Sequence, residues 1–375
     1  MSKSDILQKI NNFCLDFSYL WVLFFTTELN LHETYIKRCF ELAQNGLGTT
    51  YPNPLVGSVI VYDGKIIGEG WHKKAGEAHA EVNAIASVKD VDLLKKSTLY
   101  VNLEPCSHFG KTPPCADLII KKQIPKVVIG TIDPFSKVCG NGIAKLKEAG
   151  IEVEVGFLEK ECNELNKRFF TFHQKKRPYI ILKWAQTQDG FIAPLHKNEN
   201  RPFWISNLLS RQLVHLWRTQ EQALLVGTNT VLDDNPKLSV REVFGKNPVR
   251  VVMDRELKIP TDFSVYDNSV KTIFITSKEK ESHDENLVFE KIDFQSNVIQ
   301  QILDVLYKHQ IQSVIIEGGS QLLQSFIQEN LWDEARIFTS QISLKEGVKS
   351  PDFHYPYQSK QYIQNDELTF FYNSL

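Results

Sequence analysis

The sequence predicts an α/β protein built from two domains. A chain of 375 residues exceeds the size of most single-core domains, and short apolar runs alternate with segments of helical spacing along most of it. The polar stretch HQKKRP at residues 173–178 separates two such alternating regions. We therefore predict an N-terminal extension of uncertain role at residues 1–30, followed by domains at residues 31–176 and 177–375.

The composition argues against a nucleic-acid-binding, a secreted or a membrane protein. A hydrophobic content of 42% and a net charge of −2 indicate a soluble globular protein with no basic excess for a nucleic-acid partner. Six cysteines in a chain of this length do not suggest a secreted disulfide framework, so we expect a cytoplasmic protein. The apolar run FSYLWVLFF at residues 17–25 is too short to span a bilayer, and we expect no membrane partner. It is interpreted as a docking segment or as non-native sequence.

The first domain is predicted element by element. Apolar residues at helical spacing predict a helix from residue 33 to Gly46. Asp63-Gly64 between two apolar runs predicts a hairpin of strands at residues 56–62 and 65–70. Beyond it the sequence predicts a helix from residue 78, a strand at 97–102, a helix at 116–122, a strand at 126–130, a helix at 143–149, a strand at 152–155 and a helix at 159–176.

Residues 71–117 contain a candidate metal site. His79, Cys106 and Cys115 offer one imidazole and two thiolates, a donor set that suits zinc, and a catalytic zinc keeps a fourth position for water. Cys106 is expected at a strand end, and Cys115 at a helix N-terminus, which favours the thiolate. Glu81, two residues after His79, matches the general acid/base of zinc-dependent nucleobase deaminases.

Two segments resemble one family closely. Residues 103–115, LEPCSHFGKTPPC, and residues 51–61, YPNPLVGSVIV, are similar to the bifunctional pyrimidine deaminase/reductases of riboflavin biosynthesis. The resemblance begins near residue 33 and reaches almost to the C-terminus. It implies a cytidine-deaminase-like three-layer α/β/α domain followed by a dihydrofolate-reductase-like α/β domain. It also implies that the base is held by Asn53, His72, Lys111 and Asp133.

The second domain opens with an apolar strand at residues 178–185, followed by Asp189-Gly190. Ser206 is predicted to cap a helix that runs through residue 217, with Arg218 closing it. The remaining predicted elements are strands at residues 223–227, 249–254, 272–276 and 313–317 and a helix at residues 298–307.

A nucleotide site is predicted where the strand at residues 313–317 passes through glycines into a helix, because such a turn leaves backbone N–H groups free for phosphate. The GxGxxG fingerprint is absent, so no Rossmann domain is expected. The resemblance implies NADPH contacts from Lys183, Trp204, Thr230, Asp234, Gly319 and Ser320. It implies substrate contacts from Arg218, Leu238, Arg241 and Glu317. Arg255 is a further hypothesis for contact with the 2′-phosphate of NADPH.

The resemblance implies two reactions with Zn²⁺ and NADPH as cofactors. The 2-amino group of 2,5-diamino-6-(5-phosphoribosylamino)pyrimidin-4-one is hydrolysed, and the ribosyl group of the product is then reduced to a ribityl chain. A homo-oligomer is expected. Two alternatives stay open at this point. One is a zinc deaminase of another nucleotide or of a tRNA base with an unrelated appended domain. The other is a structural zinc module, which would need a fourth protein ligand such as His108.

Overall fold

The computed structural model describes residues 31–109, 113–135, 139–195 and 203–373. The chain forms two compact units and passes from the first to the second between Asn166 and Lys167. The predicted domain limits at residues 176 and 177 stay a prediction. The apolar run at residues 17–25 lies outside the described residues. Within the described ranges, every helix is too short or too polar to cross a membrane.

The first unit is a five-stranded sheet with helices on both faces. Its elements are, in chain order, α1 (residues 31–44), β1 (Gly57–Tyr62), β2 (Lys65–Trp71), α2 (Ala80–Ser87), a short 3-10 helix (Val91–Lys96), β3 (Thr98–Leu103), α3 (Cys115–Lys121), β4 (Lys126–Thr131), α4 (Asn141–Glu148), β5 (Glu152–Val155) and α5 (Glu159–Leu165). The strand order is β2-β1-β3-β4-β5. β1 runs antiparallel to both neighbours, and β3, β4 and β5 are parallel.

Alternation along the strands divides the core of this unit into two layers, because successive side chains point to opposite faces of a sheet. Ile60 packs with the buried faces of α2, α3 and α4. Val59 and Val61 pack instead with α1 and with Cys162 of α5. The hairpin turn uses left-handed backbone at Asp63 (φ 48°) and Gly64 (φ 67°), as a two-residue turn requires. The predicted three-layer α/β/α class is confirmed.

The second unit is built on a nine-stranded sheet. Its elements are, in chain order, α6 (Lys167–Lys175), β6 (Tyr179–Gln186), β7 (Phe191–Ala193), α7 (Leu208–Gln220), β8 (Ala223–Gly227), α8 (Thr228–Asp234), β9 (Val249–Met253), a 3-10 turn (Ser264–Tyr266), β10 (Thr272–Thr276), β11 (Leu287–Lys291), α9 (Val298–Lys308), β12 (Ser313–Glu317), α10 (Ser320–Gln328), β13 (Glu334–Thr339), β14 (Val348–Lys349), β15 (Ser359–Ile363) and β16 (Asp366–Tyr372). The strand order is β11-β10-β9-β8-β12-β6-β13-β16-β15, and β14 and β7 form a separate antiparallel pair. Within the large sheet the strands are parallel, except that β16 is antiparallel to both β13 and β15.

Helices again cover both faces of this sheet. Ile180 and Leu182 of β6 pack in one apolar cluster with α9 and α10. Tyr179 and Ile181 pack in the other, with α7 and α8. The predicted α/β class of the second domain is therefore confirmed.

Two predicted helix boundaries are wrong. The helix expected at residues 159–176 is interrupted at Asn166, whose side chain accepts a hydrogen bond from the Leu55 N–H (2.7 Å) and donates one to the Leu55 carbonyl (2.9 Å). The cap of α7 is Asn207 rather than Ser206, since its side chain accepts from the Ser210 N–H at 3.0 Å. In both places an asparagine side chain satisfies backbone groups that the sequence pattern alone does not reveal.

Candidate active sites

The first candidate site brings three predicted metal ligands together. One ligand atom each from His79, Cys106 and Cys115 lies within 4.8 Å of the others. His79 precedes α2, Cys106 follows β3, and Cys115 is the first residue of α3. Nδ1 of His79 lies 3.5 Å from Sγ of Cys106 and 3.3 Å from Sγ of Cys115. The fold therefore gathers residues that are far apart in sequence around one point.

The donor set fits zinc. Hydrogen bonds from the Cys115 thiol and from His79 lower the pKa of Cys106, as binding of a cation by a thiolate requires. The backbone N–H of Cys115 also donates to Cys106 Sγ at 3.3 Å. Among the described residues the group holds three ligands, and exposed His108 is not one of them. Three protein ligands are typical of a catalytic zinc, whereas a structural site would have four.

Glu81 lies in the first turn of α2 beside this group and is 3% exposed. Burial, followed by the charge of Cys106, raises the pKa of its carboxyl to about 7. A carboxyl group that titrates near neutrality can both accept and return a proton.

Asn53 and His72 lie next to the metal ligands. Asn53 Nδ2 is 3.0 Å from His72 Nε2, and His72 Nδ1 is 3.1 Å from the Ala78 carbonyl. Burial lowers the pKa of His72, so its ring is neutral, donates from Nδ1 to Ala78 and accepts at Nε2 from Asn53. The rings of His72 and His79 meet edge to face, with centroids 5.3 Å apart. Lys111 lies outside the described residues.

Asp133 is held by a residue that the sequence did not single out. Asp133 is 6% exposed, and burial raises the pKa of its carboxyl to about 7, with the charge of Glu104 adding to the effect. Glu104 is itself buried and accepts four backbone hydrogen bonds, from Asp133 (3.3 Å), Gly140 (2.9 Å), Gly142 (2.9 Å) and Ile143 (3.2 Å). A Cβ atom at Gly142 would lie 2.0 Å from the Pro105 carbonyl oxygen, so this close approach requires glycine. The place of Glu104 just before Pro105-Cys106 is the sequence signal that could have identified it.

The second candidate site lies where the carboxyl end of β12 meets the middle of β6. Lys183 and Glu317 are paired in register on these neighbouring parallel strands. Arg218 of α7 binds Glu317, with Nη2 2.6 Å from Oε2, and donates to the Ser239 carbonyl at 3.3 Å. Burial lowers the pKa of Lys183. Burial opposes ionisation of Glu317, but the charges of Arg218 and Lys183 hold its pKa at about 2.

The glycine turn at Gly318 and Gly319 lies beside helix α8, which follows β8 directly. Gly318 has a φ of 146°, and a Cβ atom there would lie 3.0 Å from Thr230 Oγ1. The Gly319 N–H donates to the same hydroxyl at 3.0 Å. The turn thus contacts Thr230, and the Gly319 N–H, which was expected to be free for phosphate, has a partner in this hydroxyl. The predicted contacts of Thr230, Gly319 and Ser320 with NADPH stay a prediction. Ser320 is the first residue of α10, and Asp234 is the last residue of α8.

Three further residues of the predicted second site are Leu238, Arg241 and Trp204. Leu238 is 3% exposed and adopts left-handed backbone (φ 51°). Burial, followed by the charge of Arg218, lowers the pKa of Arg241. Trp204 is half exposed, and the Arg211 guanidinium lies 4.3 Å from its ring centroid.

Arg255 and His215 are two further charged or titratable residues of the second unit. The guanidinium of Arg255 lies 3.2 Å from a Glu256 carboxylate oxygen, and its predicted role in binding the 2′-phosphate stays a prediction. His215, which the sequence analysis missed, is buried on α7. Burial, followed by the charges of Arg218 and Arg241, lowers its pKa to about 4. Its position three residues before Arg218, on the same helical face, is the signal that could have identified it.

Known protein families match both halves of the chain. Residues 178–344 match the family model of the RibD C-terminal domain, and residues 29–131 match the cytidine and deoxycytidylate deaminase zinc-binding region. The riboflavin biosynthesis protein RibD of Aquifex aeolicus is 42% identical over 326 residues, which cover 86% of this chain and 90% of that protein. The RibD protein of Escherichia coli is 36% identical over 324 residues, covering 82% and 86% respectively.

Solved structures agree with these matches. The diaminohydroxyphosphoribosylaminopyrimidine deaminase/5-amino-6-(5-phosphoribosylamino)uracil reductase of Thermotoga maritima superposes with a TM-score of 0.82 at 39% identity and covers 92% of this chain and 99% of its own. Acinetobacter baumannii RibD superposes with a TM-score of 0.83 at 33% identity and the same coverage.

Proposed function

We propose a two-step function for this chain, which belongs to the RibD family of bifunctional riboflavin biosynthesis enzymes. The first unit hydrolyses the 2-amino group of 2,5-diamino-6-(5-phosphoribosylamino)pyrimidin-4-one. The second reduces the ribosyl group of the resulting 5-amino-6-(5-phosphoribosylamino)uracil with NADPH. The observation that carries the first step is the convergence of His79, Cys106 and Cys115 beside buried Glu81.

In the deaminase step, His79, Cys106 and Cys115 hold zinc, which when bound supplies the Lewis acidity that activates a water at neutral pH. Glu81 accepts the proton of that water and returns it to the departing ammonia. The base of the ribotide is held beside Glu81 by Asn53, His72, Lys111 and Asp133.

In the reductase step, NADPH, when bound, would supply a hydride for C1 of the opened ribosyl chain, and the adjoining nitrogen would take a proton from solvent. Lys183, whose pKa is lowered by burial, contacts NADPH in this proposal, and the charges of Arg218 and Lys183 keep Glu317 ionised. Arg218 and Arg241 bind the ribotide together with Leu238. The cofactor is held by Trp204, Thr230, Asp234, Gly319, Ser320 and, for the 2′-phosphate, Arg255.

A coupled assay tests this function. The purified protein is given the diaminopyrimidinone ribotide and NADPH, and ammonia release and NADPH absorbance are followed together. We expect ammonia first and NADPH oxidation second. A Glu81→Ala variant should keep its zinc and release no ammonia, since Glu81 is not a ligand. Ammonia release that does not depend on Glu81, from a zinc-loaded protein, would contradict the assignment.

The same assay separates the remaining candidate function. A zinc deaminase of another nucleotide or of a tRNA base with an unrelated second domain would release no ammonia from the ribotide and would show no response to NADPH. Assembly into a homo-oligomer and a cytoplasmic location stay predictions, and light scattering of the purified protein tests the first.

A further inference from the structure

Helix α7 has a row of basic side chains on one face, and the row ends at Arg218 in the second candidate site. Arg211, His215 and Arg218 stand at positions i, i+4 and i+7, on one face of the helix. Each has one buried side-chain nitrogen without a hydrogen-bond partner in the part of the chain that the structure describes: Nε of both arginines and Nδ1 of the histidine. Buried polar atoms without partners are costly and are rare in folded proteins. The row therefore points to a polar ligand that lies along α7.

The excess of positive charge around this row favours an anionic ligand. Arg241 is electrostatically coupled to both Arg218 and Arg211, so that three guanidinium groups share this region. Glu317 is bound to Arg218 through Oε2, and its Oε1 is also buried without a partner in the described residues. Glu242 also acts on Arg241, and Lys183 adds a fourth positive charge beside Glu317, so two carboxylates face four basic groups. Arginine forks bind phosphate oxygens in pairs, so the ligand that fits this excess of positive charge is a phosphate group.

His215 contributes a neutral hydrogen bond to the same region. Its side chain is 4% exposed, and burial together with the nearby arginines lowers its pKa to about 4. The imidazole is consequently uncharged at neutral pH. A neutral ring nitrogen can donate one hydrogen bond to an oxygen anion without adding to the repulsion among the arginines.

We infer that Arg211 and His215 contact the reductase substrate and bind its phosphate monoester together with Arg218 and Arg241. This inference rests on the proposed function, which supplies a ribotide as the substrate of the second unit. NADPH also carries phosphates, and Arg211 stacks on Trp204, a proposed cofactor residue. The ribotide is favoured because His215 and Arg211 are both coupled to Arg241, a proposed ribotide residue.

The test measures NADPH oxidation by the full-length protein on the deaminated ribotide and on the same compound without its phosphate. The variants are Arg211→Gln, His215→Phe and His215→Asn, which keeps a donor close to the position of Nδ1. Lys89→Gln, on an exposed residue of the first unit, removes the same charge as Arg211→Gln and serves as its control. Ribotide and NADPH concentrations are varied separately.

We expect Arg211→Gln to raise the KM for the ribotide about tenfold or more, as loss of a charge-assisted hydrogen bond does. The preference for the phosphorylated substrate over the dephosphorylated one should fall by a similar factor. His215→Phe should raise the same KM, and His215→Asn should restore part of the loss. A purely structural role would not change the preference for phosphate.

An unchanged phosphate preference in both Arg211→Gln and His215→Phe would overturn the inference. A rise in the KM for NADPH alone would also overturn it, because the row would then bind the phosphates of the cofactor. A wild-type protein that oxidises no NADPH on the deaminated ribotide would instead contradict the proposed function.

Discussion

Replacing Glu104 by glutamine should loosen the loop that carries Asp133. Each oxygen of the Glu104 carboxylate accepts two backbone N–H groups, from Asp133 and Gly140 on one side and from Gly142 and Ile143 on the other. An amide group in its place turns one oxygen into a donor, so two N–H groups lose their acceptor inside the protein. Hydrogen bonds to a charged group contribute about 1.5–3 kcal/mol each, which predicts a local loss of about 3–6 kcal/mol.

Hydrogen exchange of the full-length protein, followed by mass spectrometry, measures this loss. A change of about 3 kcal/mol corresponds to exchange faster by roughly two orders of magnitude, since about 1.4 kcal/mol is a factor of ten. The effect should appear in peptides that contain α4 and be absent from peptides of the second unit. Glu148→Gln, an exposed change in the same helix, is the matched control. Unaltered exchange in α4 of Glu104→Gln, or equal acceleration in the control, would refute the reasoning.

Three other predictions concern the metal, the buried charge cluster and pH. Cys106→Ser should lower the zinc content and abolish ammonia release, whereas Cys139→Ser, at an exposed cysteine, should leave both unchanged; metal analysis of the two proteins checks this. Glu317→Gln leaves Arg218 without its carboxylate partner and should destabilise the second unit by about 3–5 kcal/mol, measured as a lowered Tm. The pKa of His215 is about 4 in the folded protein, compared with about 6.5 in an unfolded chain. As the pH falls, the unfolded chain therefore binds the proton first, and the free energy of unfolding decreases between pH 6.5 and pH 4. The expected loss is about 3 kcal/mol, and denaturant titrations of His215→Asn should show a correspondingly flatter pH dependence.

Local signals predicted much of the first unit. The Asp63-Gly64 turn fixes a hairpin through backbone conformation alone, and the apolar spacing of α1 matches its buried face. Signals that depend on distant contacts were missed. Asn166 interrupts a helix because it binds Leu55, 111 residues away. β15 is exposed along most of its length, so no alternation of apolar residues marks it.

The candidate sites likewise contain residues that the sequence identified and residues that it did not. Metal ligation demands particular residue types, so His79, Cys106 and Cys115 could be identified from the sequence, and the structure brings them together. Glu104 and His215 are common residue types whose importance depends on what surrounds them. The partners of Glu104 lie 29 to 39 residues along the chain. Apart from Arg218 on the same helix, the charged groups that act on His215 lie on other strands and loops. The neighbours of Glu104 and His215 in the sequence are a local signal for them, but they do not reveal these distant partners.

The central claim is that two separate sites on one chain act in a fixed order. The most direct measurement gives a zinc-loaded Glu81→Gln variant either the diaminopyrimidinone ribotide or its deaminated product and follows NADPH oxidation. The account predicts no oxidation with the first compound and the wild-type rate with the second, because only the deaminase site is disabled. Oxidation of NADPH at the wild-type rate with the diamino compound, or loss of oxidation with both compounds, would contradict it.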